Sequence, residues 1–254
     1  MLDICKKIFS AWNDKNIRYC HWKSNEHLYE GLIGQTDLDI LVSQVDHDKF
    51  VEVLNEYNFC NVISMRWQVY PYVEDWIGMD SESGIQVHIH LHQKLITGKT
   101  YVKEQYLPFD DYVLKTRIMS KYGVYVCNPN IEIIILIFRS LLKRPDYSLI
   151  KDNDREFKFS KSIKQELNYL YSEISESEVH SILRDLFEEK LSNIVGSVIF
   201  DGATNKKMKN LKKMIVAYYK FFRRKNLFIT FLQNIYRYFS VKISYKIGHP
   251  INLK

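Results

Sequence analysis

The sequence predicts an α+β fold, in which a mixed sheet with flanking helices is followed by a helical C-terminal region. Two observations predict this class. In the first half of the chain, short apolar stretches that alternate with polar residues fall between segments of helical spacing. Beyond residue 128, apolar residues recur mainly at helical spacing. We therefore expect a sheet domain over residues 1–128, a helical domain over 129–204 and a basic amphipathic helical tail over 205–254.

Composition is typical of a folded cytoplasmic protein. Of the 254 residues, 46% are hydrophobic, which is enough for a sizeable core. The four cysteines are scattered and include no Cys-x-x-Cys pair, so neither a zinc knuckle nor a disulfide framework is indicated. No stretch resembles a signal peptide or reaches the ~18 apolar residues of a membrane-spanning helix. We expect reduced thiols and a cytoplasmic location.

Periodicity and end signals predict the individual elements. Ile4, Ile8 and Trp12 have the spacing of one helix face, and Asp46 or Asp48 can cap the next helix. In chain order we predict a helix over 2–14, strands over 17–22 and 37–42 joined by a loop, a helix after residue 48, strands over 61–70, 72–79 and 85–92, a turn at 108–111, a hairpin of 115–120 and 123–127, helices over 131–142, 161–175 and 177–192, a short apolar segment over 194–200, and a long helix from 205.

Asp37 and Asp39 open the strand over 37–42. Residues two apart in a strand point to the same face, so the two carboxylates lie side by side. Adjacent carboxylates repel unless a cation neutralises them, and Mg²⁺ is typically held by one or two carboxylates plus substrate phosphates. The pair predicts a site for Mg²⁺ or Mn²⁺. The alternative is two solvent-exposed acids at the start of a strand.

A polar turn, Lys23-Ser24, follows the first strand. A lysine ammonium and a serine hydroxyl can both hold phosphate. Thr36, next to the acidic pair, is included in the same predicted phosphate site.

The strand over 85–92 alternates strictly between aliphatic and polar residues. His88, His90 and His92 share its polar face with Gln86. Such a face can simply be solvated. Imidazole is also a good zinc ligand, although no cysteine or further histidine nearby completes a tetrahedron.

Taken in order, these segments resemble the nucleotidyltransferase fold of the DNA polymerase β superfamily. In that superfamily a Gly-Ser turn binds the triphosphate, a paired-acid strand binds Mg²⁺, and a later strand supplies a third acid. More narrowly, the chain resembles a little-characterised bacterial group found in surface-polysaccharide loci, sometimes ahead of a thymidylate-kinase-like P-loop domain. The resemblance covers about residues 15–145. The segments that carry it are residues 20–25, 36–42, 87–92, 95–98, 103 and 107–108.

The resemblance implies that residues 1–128 form a nucleotidyltransferase-like domain. The expected activity is metal-dependent transfer of a nucleotidyl or phosphoryl group from a nucleoside triphosphate to a hydroxyl or phosphate acceptor, in surface-polysaccharide biosynthesis. Lys23 and Ser24 would hold phosphate, Asp37 and Asp39 would hold the metal ion, and His90 or His88 would complete the site. A P-loop kinase-like partner encoded separately is a further implication.

Two departures from the superfamily pattern bear on this expectation. Lys23 replaces the usual glycine, and His90 or His88 stands where the third acid is expected. Loss of a carboxylate weakens a two-metal site, although a histidine can act as a ligand or a general base. Asp75 and Asp80, on the preceding strand, are candidates for the missing acid. The alternative function is a catalytically inactive binding or scaffold module at the membrane surface.

Arg139 and Lys143 lie four residues apart on a predicted helix and therefore share a face. They can reach nucleotide phosphates, or pair with acids such as Asp146.

The tail has a strong charge asymmetry. The last 53 residues carry 13 Lys and Arg and no acid, whereas all 30 acidic residues lie at or before Asp201. A basic amphipathic helix with bulky aromatic residues is typical of peripheral membrane binding, with about 1 kcal/mol from each basic residue near an anionic leaflet. We expect residues 205–240 to bind the inner face of the membrane. The alternatives are packing against the acidic body and non-specific nucleic-acid binding. No base-reading motif is present, so sequence-specific recognition of nucleic acid is not expected.

Overall fold

A computed structural model describes residues 1–63, 69–99, 103–143 and 155–218, together with 228, 231–232, 235–236 and 238–240 of the tail. Within these residues the chain forms a seven-stranded mixed sheet, a two-stranded sheet and a set of helices. The predicted combination of a mixed sheet, flanking helices and a helical C-terminal region is confirmed.

The elements have the following bounds. The strands are β1 (Tyr19–His21), β2 (Leu38–Val42), β3 (Cys60–Val62), β4 (Val73–Met79), β5 (Gln86–His92), β6 (Leu95–Thr97), β7 (Gln105–Leu107), β8 (Ile118–Met119) and β9 (Tyr125–Val126). The α-helices are α1 (Asp3–Asp14), α2 (Leu28–Leu32), α3 (His47–Glu56), α4 (Asp110–Thr116), α5 (Pro129–Leu142), α6 (Lys161–Glu173), α7 (Glu176–Leu186), α8 (Glu189–Phe200) and α9 (Asn205–Tyr218).

The large sheet has the strand order β3-β4-β5-β2-β1-β9-β8. Strand β2 runs antiparallel to β1 and parallel to β5, and β5 runs antiparallel to β4. Asp39 on β2 lies opposite His90 on β5, and His90 lies opposite Asp75 on β4. The register therefore aligns the acidic pair with the histidine strand.

Alternation along the strands separates two cores. Leu38, Ile40 and Ile89 pack with α1 and α3 on one face of the sheet. Trp22 and Leu41 point the other way, into a core formed with α4 to α9. Because this second core contains residues from both sides of position 128, the helical region covers one face of the sheet.

Helix α5 is the centre of the second core. Its N-terminus is capped by the Asn128 side chain, which accepts a hydrogen bond from the Asn130 backbone N–H, and Pro129 occupies the first turn. Residues 130–142 are all buried, in agreement with the strongly apolar sequence. A helix that is apolar all round is expected in the interior.

Several predicted elements differ in the structure. The loop after Ser24 contains the short helix α2, and the predicted strand over 61–70 is limited to β3, with residues 64–68 outside the described part. The predicted turn at 108–111 is confirmed at Pro108 and Phe109, but its second half and the start of the predicted strand at 115 belong to α4. Asp110 and Asp111 stabilise the N-terminus of that helix, and Asp110 accepts a 2.6 Å hydrogen bond from the Leu95 backbone N–H. The hairpin between β8 and β9 is confirmed.

The predicted helix over 177–192 is two helices, α7 and α8. The chain becomes extended at Phe187, whose ring lies 5.5 Å from Phe109 and 5.5 Å from Phe138. Insertion of this aromatic ring into the core breaks the helix. The segment over 194–200 is the second half of α8.

Candidate functional site

A row of acidic and histidine side chains crosses three neighbouring strands on the sheet face turned toward the helical region. Asp39, His90 and Asp75 are in register across β2, β5 and β4. The next pair along the same face is Asp37 and His88, whose Oδ1 and Nδ1 atoms are 2.7 Å apart. Residues two apart in a strand project from one side, so the pleat brings these five side chains together.

Asp39 is the most heavily contacted member of the row. Its Oδ1 lies 2.7 Å from Lys23 Nζ, 3.1 Å from His90 Nδ1 and 3.5 Å from His92 Nε2. Burial opposes ionisation of this carboxyl group, but the Lys23 ammonium and hydrogen bonds from the two histidines outweigh burial and hold the pKa of Asp39 well below its usual range. Asp39 is therefore an anion at neutral pH and a competent oxygen ligand for a cation.

His88 is held between two carboxylates. Its Nδ1 lies 2.7 Å from Asp37 Oδ1 and its Nε2 lies 2.9 Å from Asp75 Oδ1. Burial disfavours protonation of the ring, but hydrogen bonds to both carboxylates prevail and raise the pKa of His88 to about 9. At neutral pH His88 is an imidazolium that donates from both nitrogens, whereas a metal-bound histidine must be neutral.

His92 is the most buried of the three histidines, with 3% of its surface exposed. Its Nε2 lies 3.3 Å from His90 Nδ1, and its ring packs edge-on against Trp22 with 5.2 Å between centroids. Burial and the neighbouring His90 lower the pKa of His92 to about 3, so the ring is neutral. The other nitrogen, Nδ1, is buried and has no hydrogen-bond partner among the described residues.

Two acids of the helical region hold the turn that follows β1. Ser24 has a left-handed backbone (φ 56°), and its N–H donates a 3.3 Å hydrogen bond to Glu166 Oε1. Asn25 donates to Glu132 through its backbone, at 3.2 Å, and through its side chain, at 2.6 Å. Glu166 also pairs with Arg139 at 3.2 Å, and both side chains are buried. The predicted phosphate turn is thus anchored by α5 and α6.

A cavity of about 430 Å³ adjoins this turn. Its wall includes Asn25, Glu26, Tyr29, Tyr122, Glu132 and Tyr169. Glu26 and Glu132 lie within 4.8 Å of Glu166, measured between carboxylate oxygens. Burial raises the pKa of Glu132 to about 8, despite the hydrogen bonds from Asn25, so Glu132 is largely protonated at neutral pH. Protonation reduces the repulsion within this acidic group.

Four basic side chains, Lys23, Lys103, Arg139 and Lys143, lie close enough to one another for their charges to interact. Lys23 Nζ and the Arg139 guanidinium lie 5.0 and 5.4 Å from the centre of the Trp22 ring. Partial burial, followed by the like charges of Lys23 and Arg139, lowers the pKa of Lys103 to about 8. The surrounding protein and the same group of cations lower the pKa of Lys143, although this residue is exposed to solvent. A polyanion relieves such repulsion, and phosphate oxygens are the usual partners of Arg and Lys.

The structure brings most of the predicted site residues together. Those that meet beside the row are Lys23, Asp37, Asp39, His88, His90, Arg139 and Lys143. Thr36 is exposed in the loop before β2, and the contacts described for the row do not include it. Asp146, considered as a partner of Arg139, lies outside the described residues, and Arg139 pairs with Glu166.

Of the two candidates for a third acid, only Asp75 lies in the row. Asp80 instead accepts a 2.8 Å hydrogen bond from the Ile4 backbone N–H at the start of α1, and it also binds the Ser83 N–H and hydroxyl. Asp80 therefore stabilises a helix start and a turn.

Sequence reasoning considered His92 only as a zinc ligand, named Lys103 only as part of the resemblance, and assigned no role to Glu166. His92 continues the period-two pattern of His88 and His90, so that pattern was an available signal. Lys103 and Glu166 come from distant segments, and no local pattern indicates that they approach the turn after β1.

The tail divides into two parts. Met208, Leu211 and Ile215 on α9 are buried against the body, which agrees with intramolecular packing of this part. Farther along the tail, several of the residues that the structure describes are large, apolar and exposed: Phe228, Phe231, Leu232, Ile235 and Phe239. Among the basic residues in the first half of the predicted tail helix, those outside the described residues are Lys220, Arg223, Arg224 and Lys225. Among the helices described, none combines the length and apolarity needed to cross a bilayer.

Comparison of the chain with protein-family models, with curated protein sequences and with solved structures yields no match.

Proposed function

We propose that this protein is a metal-dependent nucleotidyl- or phosphoryl-transferase with a nucleotidyltransferase-like fold. It uses a nucleoside triphosphate and transfers to a hydroxyl or phosphate acceptor. One observation carries the proposal: the ionised, largely buried Asp39 lies in a row of carboxylates and histidines and pairs with Lys23, whose charge also acts on Lys103 and Lys143. This arrangement suits a divalent cation and a polyphosphate bound next to each other.

The donor set fits a divalent cation. Asp37 and Asp39 supply carboxylate oxygens from one strand face, and Asp39 is already paired with a cation, the Lys23 ammonium, at 2.7 Å. These residues would hold Mg²⁺ or Mn²⁺, which on binding neutralises charge on the phosphate and polarises the phosphorus–oxygen bond.

The basic residues bind the phosphates. Arg139 offers a planar fork of N–H donors, and its pairing with Glu166 and its contact with Trp22 fix its orientation. Lys23, Lys103 and the hydroxyl of Ser24 add further donors. Positioning and charge neutralisation of this kind supply most of the catalysis in phosphoryl transfer.

His90 completes the proposed site, either as a ligand of the metal ion or as a general base. It is in register with Asp39, whose Oδ1 lies 3.1 Å from Nδ1 and fixes the orientation of the ring. A histidine held in this way can accept the proton of an acceptor hydroxyl as the oxygen attacks phosphorus.

The acceptor and location follow from the resemblance and the tail. We propose an acceptor of surface-polysaccharide assembly, with a P-loop kinase-like protein as partner. The exposed side chains of Phe228, Phe231 and Phe239 support attachment of the tail to the inner face of an anionic membrane.

Calorimetry tests the proposal. The wild-type protein is titrated with ATP, GTP, CTP and UTP in the presence of Mg²⁺ or Mn²⁺, and at least one nucleotide is expected to bind in a metal-dependent manner. The double variant Asp37→Asn, Asp39→Asn should lose this binding. Asp48→Asn, at a fully exposed carboxylate, is the matched control and should bind as the wild type does. Unchanged binding by the double variant would refute the proposal.

A catalytically inactive scaffold is the second candidate. It is favoured by a histidine, His90, where the resemblance implies a third acid, and by Lys23, which already neutralises Asp39. Incubation with labelled nucleotides and a panel of acceptors separates the two functions. Pyrophosphate or nucleoside diphosphate release indicates the transferase, whereas binding without turnover indicates the scaffold.

A further inference from the structure

We propose that Asp39, His90 and His92 form a preformed site for an imidazole-binding transition-metal ion, such as Mn²⁺, Co²⁺ or Zn²⁺, in preference to Mg²⁺. The inference rests on the proposed function for the use of the ion in transfer, and adds the class of metal and two histidine ligands, His90 and His92, beside Asp39. Its basis is the positions of three atoms: Asp39 Oδ1, His90 Nδ1 and His92 Nε2.

These three atoms form a nearly equilateral triangle. The distances are 3.1 Å from Asp39 to His90, 3.5 Å from Asp39 to His92, and 3.3 Å between the two histidines. A tetrahedral ion about 2.1 Å from each ligand atom separates the atoms by about 3.4 Å, and an octahedral ion separates them by about 3.0 Å. The triangle therefore already has the edges of a coordination face, so an ion can bind with little rearrangement of the strands.

The ligand types select the metal. Two imidazole nitrogens and one carboxylate oxygen suit Zn²⁺, Mn²⁺ and other first-row transition ions, whereas Mg²⁺ prefers oxygen ligands and water. The Nε2 atom of the buried His92 ring contacts the other two atoms of the triangle. Its Nδ1 atom has no hydrogen-bond partner in the described part of the chain. Metal binding would explain why a histidine, and not an aliphatic residue, occupies this buried position.

Lys23 competes with the ion. Its ammonium lies 2.7 Å from the same oxygen, Asp39 Oδ1, that an ion would use. Binding of the ion and pairing with Lys23 therefore exclude each other at that atom. Once displaced, the ammonium remains beside Trp22 and Arg139, where it can contact a phosphate.

His88 provides a matched control within the same strand. It lies on the same face as His90 and two residues from it, but its nitrogens are engaged by Asp37 and Asp75. If loss of any histidine from β5 weakened metal binding in a general way, variants at positions 88, 90 and 92 would weaken it equally. If metal binding is weakened by loss of a ligand, only the variants at positions 90 and 92 should weaken it.

Cobalt provides the test without nucleotide or turnover. The full-length protein is titrated with Co²⁺, and binding is followed by visible absorption and by calorimetry. We expect one ion per chain at this site, displaced by an equal amount of Zn²⁺ but not by a hundredfold excess of Mg²⁺. His90→Gln and His92→Gln should each weaken binding at least tenfold, and His88→Gln less than threefold. Lys23→Met should strengthen binding, because it removes the competing ammonium.

Two results would overturn the inference: no Co²⁺ or Zn²⁺ binding by the wild type, or an equal loss in the variants at positions 88, 90 and 92. Because His92 is buried, circular dichroism must show that each variant is folded; the more exposed His90 provides the second test should His92→Gln unfold. Failure of the proposed function is distinguishable. Co²⁺ binding that depends on His92 without nucleotide binding would refute only the transferase, whereas Mg²⁺-dependent nucleotide binding without Co²⁺ binding would refute only this site.

Discussion

Replacement of Arg139 by leucine removes a buried cation that the structure pairs with Glu166. The guanidinium is 3.2 Å from Glu166 Oε1, and less than a tenth of either side chain is exposed. Glu166 also accepts a hydrogen bond from the Ser24 N–H, and Glu26 and Glu132 lie within 4.8 Å of it. In Arg139→Leu, the Glu166 carboxylate stays buried among acids without its cation.

The expected cost follows from these distances. Two unit charges 3.2 Å apart attract by roughly 5 kcal/mol at an effective dielectric constant of about 20. Measured losses when one partner of a buried ion pair is removed are about 3–5 kcal/mol. We therefore expect Arg139→Leu to lower the free energy of unfolding by about 3–5 kcal/mol and to loosen the turn at Ser24, which weakens nucleotide binding.

Urea denaturation followed by circular dichroism and tryptophan fluorescence measures the loss. Lys143→Leu, one helical turn farther along and exposed, is the control and should change stability by no more than about 0.5 kcal/mol. Adding Glu166→Leu to Arg139→Leu should recover part of the stability, because replacing both partners of a buried pair is far less costly than removing one. A loss below about 1 kcal/mol, or no recovery in the double variant, would refute this reasoning.

Three further predictions concern other parts of the molecule. Wild type should be more stable than His88→Gln at low pH, because folding raises the pKa of His88 above its unfolded value. This stability difference should be fully present below about pH 6.5 and disappear as pH rises through about 9. Urea denaturation at a series of pH values measures the difference. Gly34→Ala should lower the free energy of unfolding by several kcal/mol, because the φ of Gly34 is +77° and a Cβ would lie 2.7 Å from a backbone oxygen. Gly84 has a φ of +69° but open space around it, so Gly84→Ala should lower that free energy by only about 1–2 kcal/mol. Thermal or urea unfolding measures both losses. Phe231→Ser, at an exposed tail position, should weaken sedimentation of the full chain with anionic vesicles without changing its melting temperature.

Each of these predictions has a contrary outcome. A stability difference for His88→Gln that does not vary between pH 6 and 10 would show that the ring is not held as an imidazolium. Equal costs at the two glycines would contradict the close approach at Gly34. Vesicle binding that is unaffected by Phe231→Ser would contradict membrane attachment through the exposed aromatic residues.

Part of the fold and of the site could be predicted because the signals are local. The strict alternation over 85–92 and the spacing of Asp37 and Asp39 fix which side chains share a face, and the structure has them on one face of the sheet. The capping sequence at Asn128 and the apolar run after it gave the start of α5 to within two residues.

The remainder depends on tertiary contacts. Glu166 approaches the site only because the second core folds the helical region over the sheet. The end of α7 depends on the insertion of Phe187 between two distant aromatic rings. The triangle of Asp39, His90 and His92 requires the parallel register of β2 and β5, which alternation in single strands does not specify.

Anomalous diffraction from crystals soaked with Mn²⁺ and a non-hydrolysable nucleotide tests the central claim most directly. The account predicts a manganese peak at Asp39, with the nucleotide phosphates against Lys23 and Arg139. Manganese and nucleotide bound elsewhere, with Lys23 still paired to Asp39, would contradict it.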